Sequence, residues 1–304
     1  MHGSRKHTSR PTAPPMATTQ CGSSAGALDS EATSSYACRM SLPLAGRVAL
    51  ITGVSRRRGI GYAIASRLAG MGASLFIQHY GPHDAEQPWG TDEIEGLVGQ
   101  LRTKLGPGSS LHEVSLDLSH AQAPDTLINA ATNAFGHLDI LVCNHAQSGH
   151  DGTLAEMTAE KLDKHWQVNT RSTVLATSAF AKQHDGRDGG RVVWLTSGQA
   201  KGGMADEIAY VTSKAALAGL TASAADGLIE QRIVLNTVNP GPVNTGYLDE
   251  DMVEKDWQQI LEHFPTGRFG EPDDPARLIA WLVSDEGRWM VGQVLDSEGG
   301  FRRW

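Results

Sequence analysis

The stretch Val48-Ala-Leu-Ile-Thr52-Gly53-Val-Ser55-Arg56-Arg57-Arg58-Gly59-Ile60-Gly61-Tyr62-Ala63-Ile64-Ala65 runs from a short apolar segment, through three glycines, into a helix-forming segment. An unbroken apolar run of strand length fits a strand covered on both faces. Glycines directly after it permit a tight turn and let backbone N–H groups approach a pyrophosphate at the start of the following helix. A plain strand-to-helix turn would also use glycine. The three arginines favour the nucleotide reading, because they place positive charge where phosphates would lie. Gly53, Ser55, Gly59, Ile60 and Gly61 are therefore candidate cofactor-binding residues, and Arg58, just before Gly59, is the candidate partner of a ribose 2′-phosphate.

Working outward, short β-rich apolar runs alternate with longer stretches of helical period, the pattern of a parallel sheet with covering helices. Strands are expected at 48–52, 74–79, 111–115, 140–144, 191–196, 233–239 and 294–296, and helices at 61–70, 92–105, 124–135, 158–183, 208–231 and 275–284. No internal repeat and no linker follows residue 45. The fold class is α/β, a single Rossmann-type doubly wound parallel sheet flanked by helices. In such sheets ligands bind beyond the carboxyl ends of the strands.

Residues 1–41 differ: they are rich in Ser, Thr, Ala, Pro and Gly, lack apolar periodicity, and carry Arg5, Lys6 and Arg10 before the first acid, Asp29. They are expected to form a disordered extension ahead of a catalytic domain at 42–304. The basic start has some transit-peptide character, but a dispensable tail or an upstream start fits better, since Met40 begins a stretch that reads like a natural start. The chain has 304 residues, 40% hydrophobic and 20% charged, with a formal net charge of −8. That balance excludes a nucleic-acid surface as the main business. Cys21, Cys38 and Cys143 are odd in number and lack metal-ligand spacing, so neither a disulfide framework nor a metal site is expected, and a reducing cytoplasm fits. No apolar run approaches the roughly 18 to 20 residues that span a bilayer.

The second strand ends at Gln78-His79-Tyr80 without an acid to bind a free ribose 2′-hydroxyl, so NADP(H) is favoured over NAD(H). The polar and aromatic stretch from Gly81 to Gly90 reads as a long loop, either covering an adenosine or holding Asp84 and Glu86 as plain solvated charges.

Tyr210 and Lys214 lie four apart on a predicted helix, hence on one face. Such a pair also arises by chance. A lysine beside a tyrosine favours the phenolate, which suits a general acid or base near neutrality. Ser197 ends the fifth strand.

With these elements in order, the chain from about Leu42 to Trp304 resembles the short-chain dehydrogenase/reductase family, particularly its 3-oxoacyl-carrier-protein reductase-like members. The resemblance assigns Ser197, Tyr210 and Lys214 to that family's Ser and YxxxK set and Asn169 to its helix-borne catalytic Asn. Asp117 and Leu118 match the adenine-contacting stretch, Asn144 the one residue kept of the NNAG turn, and Pro240, Gly241, Val243 and Thr245 the PGxxxT stretch at the nicotinamide carboxamide. It implies reduction of a ketone, or oxidation of a secondary alcohol. Ser197 would bond the carbonyl oxygen and Tyr210 transfer the proton. Lys214 would lower the phenol's pKa and hold the ribose, and Asn169 would support a water relay. It also implies a homotetramer, with a dimer as the alternative; the helices at 158–183 and 208–231 carry Ala-rich and apolar faces suited to packing between subunits as well as onto the sheet.

Two features depart from the family. Five residues separate Gly53 from Gly59 where three are usual, and the NNAG turn reads Cys143-Asn144-His145-Ala146. His145 could approach the cofactor or serve the turn structurally; Cys143 reads as a small buried hydrophobe. The long glycine loop is similar to that of enoyl-carrier-protein reductases, whose Tyr and Lys stand six residues apart. Here the residue seven before Lys214 is Glu207, which argues against that reading. Substrate choice is expected mainly in Asn244–Phe264, with Met204 and Gln147–Asp151 contributing. Leu248, Met252, Trp257 and Phe264 would form an apolar lid or pack as an amphipathic helix. An NAD-dependent alcohol dehydrogenase and a non-catalytic cofactor sensor are the alternatives.

Overall fold

The computed structural model describes residues 42–248 and 257–302. Met252 and the 1–41 segment lie outside the described residues, as does the side chain of Trp257. The strands are β1 (Val48–Ile51), β2 (Ser74–His79), β3 (Leu111–Ser115), β4 (Ile140–Cys143), β5 (Gly190–Leu195), β6 (Ile233–Asn239) and β7 (Val294–Asp296). They form one sheet in the order β3-β2-β1-β4-β5-β6-β7, with every pairing parallel. This is the doubly wound arrangement expected, and each strand agrees with the sequence reading to within a residue or so at its ends.

Side-chain alternation along the strands divides the core into two layers. Ala49 and Ile51 of β1 join Ile64, Leu68, Leu97, Leu101, Ile279 and Val283 on one face. These come from α1 (Ile60–Gly70), α3 (Ile94–Arg102) and α9 (Asp273–Val283). Val48 and Leu50 join Leu127, Phe180, Trp194 and Leu217 on the other. Here the covering helices are α4 (Ala123–Phe135), α6 (Ser172–Gln183) and α7 (Ile208–Ile229).

Three departures from the sequence reading have physical causes. The helix expected over 158–183 is α5 (Ala159–His165) and α6 joined through a wide π turn at Trp166–Arg171. Periodicity cannot register one extra residue in a turn, and Asn169 lies inside that turn. The expected loop after β2 contains α2 (Gly81–Ala85), with Pro82 in its first turn. Helix α8 (Trp257–Glu262) follows the region after β6. The other expected lid residues, Leu248 and Phe264, are buried with Phe269 against Ile260, Leu261 and Phe301, so they pack as a small core.

The order of the strands changes direction between β1 and β4, and α1 must start there at close range. A Cβ on Gly61 would lie 2.4 Å from the Gly53 carbonyl oxygen and 2.7 Å from Asn144 Nδ2. Gly53 itself has φ +71°, and a Cβ there would meet Asn144 Nδ2 at 2.8 Å. Gly61→Ala is therefore expected to destabilise the fold by about 2–3 kcal/mol, since backbone rather than a flexible side chain must move. Urea unfolding would register this; a loss under 0.5 kcal/mol, on the order expected of an unremarkable surface change, would contradict it.

Candidate active site

The site is built from strand ends. After β1, Thr52 Oγ1 accepts hydrogen bonds from the amides of Asn144 (3.0 Å) and His145 (3.3 Å) beyond β4. Asn144 Nδ2 donates to the carbonyls of Thr52 (3.0 Å) and Gly53 (3.1 Å). Gln78, a polar residue that the apolar reading of β2 passed over, accepts from the Gly53 amide at 3.0 Å and donates to Leu116 O at 2.7 Å. Thus β2, β3 and β4 all fix the turn that leads to α1. That helix starts after Gly59 with no side-chain cap and no acid in its first turn. Its amide dipoles face the glycine loop with no acid of the helix's own first turn against them, which suits an incoming phosphate.

The three loop arginines have separate surroundings. Arg56 Nε pairs with Asp84 of α2 at 3.1 Å, its Nη1 donates to Thr245 O at 2.6 Å, and its guanidinium lies 5.1 Å from the Trp89 ring centroid. Asp84 also accepts from Ser55 Oγ and from Trp89 Nε1 (3.3 Å). Trp89 in turn lies 6.2 Å from Tyr247 beyond β6. Arg57 pairs with Asp92 at 3.2 Å. Arg58 stays exposed, with its guanidinium beside Gly246. Asp84 is buried, so the reading of it as a solvated charge is corrected. Sequence reasoning found no acid at the end of β2; α2 folds one back, onto Ser55 and Arg56.

On the adenosine side expected from the resemblance, Asp117 follows β3. It accepts from the Ser119 amide at 2.8 Å, and Tyr80 donates its phenol to it. Leu118 is buried beside it. After β6, Asn239 Oδ1 accepts from the Gly241 amide at 3.1 Å. Gly241 has φ +70° and a Cβ there would meet Glu298 at 2.8 Å, so this turn also requires glycine. Pro240 opens this turn, Val243 is buried and bridges Gly270, and Thr245 is held by Arg56.

Ser197, Tyr210 and Lys214 come together beyond β5. Ser197 makes no cap bond to the short 3₁₀ turn that follows it, and its hydroxyl instead hydrogen-bonds the Tyr210 phenol. Lys214 is buried; its Nζ donates to Leu195 O at 3.0 Å and lies 5.8 Å from the Tyr210 ring centroid. Burial pushes the half-buried Tyr210 phenol up to about 12, against the opposing Ser197 bond, with Glu207 adding to the rise. Burial also brings Lys214 down to about 8. The expected lowering of the phenol by Lys214 is not seen in this state: desolvation dominates, and the group that opposes it is Ser197. Asn169 Nδ2 donates to Ser213 Oγ (2.9 Å) and Gln147 O (3.1 Å), while its Oδ1 accepts from the Gln147 amide at 2.6 Å. Its side chain braces a loop, a role the water-relay expectation did not include.

A family model described as enoyl-(acyl carrier protein) reductase matches residues 53–302. The uncharacterized oxidoreductase YjdA of Bacillus subtilis is 35% identical over 259 residues, covering 84% of this chain and 97% of its own. An Arabidopsis thaliana protein named NADPH-dependent aldehyde reductase-like, chloroplastic, is 33% identical over 263 residues, 86% of this chain and 96% of its own. A short-chain dehydrogenase from Burkholderia cenocepacia, solved in complex with NADP, superposes with a TM-score of 0.72 at 32% identity, over 85% of this chain and 98% of that one. The chain belongs to the short-chain dehydrogenase/reductase family.

Within the family, this chain keeps a glutamate at position 207, just before α7, so the six-residue Tyr–Lys spacing of enoyl reductases is absent whatever the matching model is called. His145, in the departing NNAG turn, is buried and fully engaged. Its Nδ1 meets Thr52 Oγ1 at 2.6 Å, and its Nε2 meets Ser172 Oγ at 2.7 Å and Val168 O at 3.0 Å. Its surroundings are those of the structural reading. Burial, with the Lys214 charge nearby, holds the imidazole at about 3, against 6.5 for an ordinary histidine. Cys143 is buried too, its thiol pushed up to about 12, in keeping with a small core residue. Among the described residues no helix is long and apolar enough to cross a membrane.

The depressed imidazole sets a sign. Above pH 6.5 His145 is neutral in both the folded and the unfolded chain; below it the unfolded chain takes up a proton that the fold refuses until about pH 3. Stability is thus lost as pH falls through this window, by about 1.4 kcal/mol per pH unit from this group. Urea unfolding from pH 6.5 to 4 should show a shallower acid limb for His145→Gln by that slope. Parallel limbs would contradict the assignment.

Proposed function

We propose that the chain is an NADP(H)-dependent oxidoreductase that interconverts a ketone and a secondary alcohol, with Tyr210 as the proton donor or acceptor. The observation that carries this reading is the Ser197–Tyr210 hydrogen bond at the carboxyl end of β5, with buried Lys214 on the same helix face. The glycine loop fits a dinucleotide: α1 opens without a side-chain cap, and Gly53 and Gly61 leave no room for a Cβ. When bound, NADPH supplies hydride to the carbonyl carbon.

In this reading Ser197 bonds the carbonyl oxygen and orients it against Tyr210. A phenol near 12 is protonated at neutral pH, which is the form a reductase needs to donate its proton to the forming alkoxide. Lys214, near 8, remains an ammonium at neutral pH and would hold the nicotinamide ribose. Gly53, Ser55, Gly59, Ile60 and Gly61 would receive the pyrophosphate, Asp117 and Leu118 the adenine, and Asn144, Pro240, Gly241, Val243 and Thr245 the nicotinamide half. A 3-oxoacyl thioester, free or carrier-linked, is the first substrate class to try. Leu175 on α6 and Leu220 on α7 are exposed apolar residues on the helices expected to pack between subunits, in keeping with a homotetramer; the proposed location is cytoplasmic.

A panel of carrier-linked 3-oxoacyl chains and small cyclic ketones, followed by NADPH absorbance, tests the activity. Tyr210→Phe should lower kcat about 100- to 10,000-fold with NADPH still bound. A cofactor that binds tightly without turnover on any ketone or alcohol would favour a cofactor sensor instead.

The choice of NADP(H) rests on Arg58, on the missing acid at the end of β2, and on relatives and neighbours whose names carry NADP or NADPH. The NAD-dependent alternative draws on Asp84, an acid beside the glycine loop, though Arg56 neutralises it. Arg58→Ala should lower the NADPH/NADH ratio of kcat/KM by about 10-fold or more, the value of one lost charged contact. An unchanged ratio would remove Arg58 from the assignment.

A further inference from the structure

Tyr210 is the third residue of α7, in a turn whose amides have no partner within the helix. A residue there is free to fray unless something outside the helix takes those donors. The residue before the helix, Glu207, makes no side-chain cap bond. The segment between β4 and α5 does so instead. Asp151 Oδ2 accepts from the Tyr210 amide at 2.7 Å and its Oδ1 from the Ala209 amide at 2.9 Å, while Gly152 O accepts from the Ile208 amide at 3.2 Å.

The same segment reaches the carbonyl side of Tyr210 by its other end. Gln147 is joined to Asn169 by two bonds, Asn169 Nδ2 donates to Ser213 Oγ at 2.9 Å, and Ser213 Oγ donates to Tyr210 O at 2.7 Å. A closed ring thus grips the Tyr210 peptide at both its N–H and its C=O. Asp151 is anchored in turn: its side chain is buried, its own carbonyl accepts from Lys161 Nζ at 3.1 Å, and fully buried His165 lies with Nε2 3.7 Å from Oδ2. A buried carboxylate at a helix start is also favoured by the helix dipole.

We propose that Asp151 is a positioning residue for Tyr210, capping α7 from another segment and so fixing where the phenol meets Ser197. This rests on the reading of Tyr210 as the proton donor. Asp151, expected from the sequence among the substrate contacts, acts here through the helix.

Asp151→Asn is the informative variant: an amide oxygen accepts from one N–H, and the NH₂ group is set against the other. With a substrate found by the panel, Asp151→Asn and Asp151→Ala should lower kcat about 10- to 100-fold, as expected for loss of a buried charged hydrogen bond. The NADPH dissociation constant, read by nucleotide fluorescence, should stay within about twofold. Independently of any substrate, amide hydrogen exchange in the ligand-free protein should lose protection at 208–211 while the strands keep theirs. Unchanged kcat, unchanged protection at 208–211, or NADPH affinity falling by the same factor as kcat would overturn the proposal; the last outcome would make Asp151 a support of the whole fold. If Asp151→Ala does not fold, Asp151→Asn decides. Wild-type kcat in Tyr210→Phe would sink the proton-donor reading instead, and the exchange result would still report on the cap.

Discussion

The junction of β1 and β4 is the constraint on which the rest depends. The sheet grows outward from these two strands in opposite directions, so a crevice between helices opens at their carboxyl ends. Thr52 and Asn144 hold the two exits together through one another's amides and carbonyls, and Gly53 and Gly61 leave no room for a Cβ between them. The start of α1 is thereby fixed at backbone contact with β1. A phosphate site made of amides needs that fixity, because amides that must reorganise on binding lose much of their electrostatic advantage. His145 extends the same junction toward α6 through Ser172, which explains how the turn tolerates an imidazole: it is neutral, buried and supplied with partners at both nitrogens.

Burial then determines the protonation states across the crevice. It raises the phenol of Tyr210 to about 12 and lowers the ammonium of Lys214 to about 8, so two groups that would ordinarily titrate together are driven apart, each toward its neutral form, and neutral pH lies below both. At neutral pH the pair stands as phenol and ammonium. That is the arrangement from which a proton can be given to a developing alkoxide with the positive charge already in place. The fold obtains it by packing: Lys214 is carried on a helix whose inner face is covered by β5 and β6, and the Leu195 carbonyl satisfies its Nζ.

The parallel sheet was legible because each strand is an apolar run and each covering helix has a period that sequence displays. The chemistry of Ser197, Tyr210 and Lys214 was legible because their spacing survives folding as one helix face beside one strand end. What escaped depends on contacts distant in sequence. Asn169 reads as a helix residue, yet it sits in a π turn whose extra residue leaves the period of both flanking helices intact. Gln78 carried a signal, a polar residue in an apolar strand, and its partner was identifiable only once β1 and β2 were paired. Asp151 carried none: a lone acid in a polar stretch becomes a cap only because α7 begins beside it. The phenol's elevation in the ligand-free state escaped for a related reason, since spacing reveals the lysine and conceals the burial.

The length of the glycine loop follows the same logic. Five residues between Gly53 and Gly59 make a longer excursion than the family's three, and a longer loop costs more entropy to order. Two of the arginines in that loop turn outward to acids. Arg57 reaches Asp92 just before α3, and Arg56 reaches Asp84 on α2. Arg56 continues to the Thr245 carbonyl beyond β6, and Trp89 carries the contact on to Tyr247. The loop is thus ordered by elements from both sides of the crevice, and α2 has a reason to exist, since it delivers a buried carboxylate to a mostly covered guanidinium. Removing Asp84 alone would leave Arg56 charged and largely out of water, which is worse than never having buried the pair. In this chain the extra loop length and the acid on α2 therefore belong together.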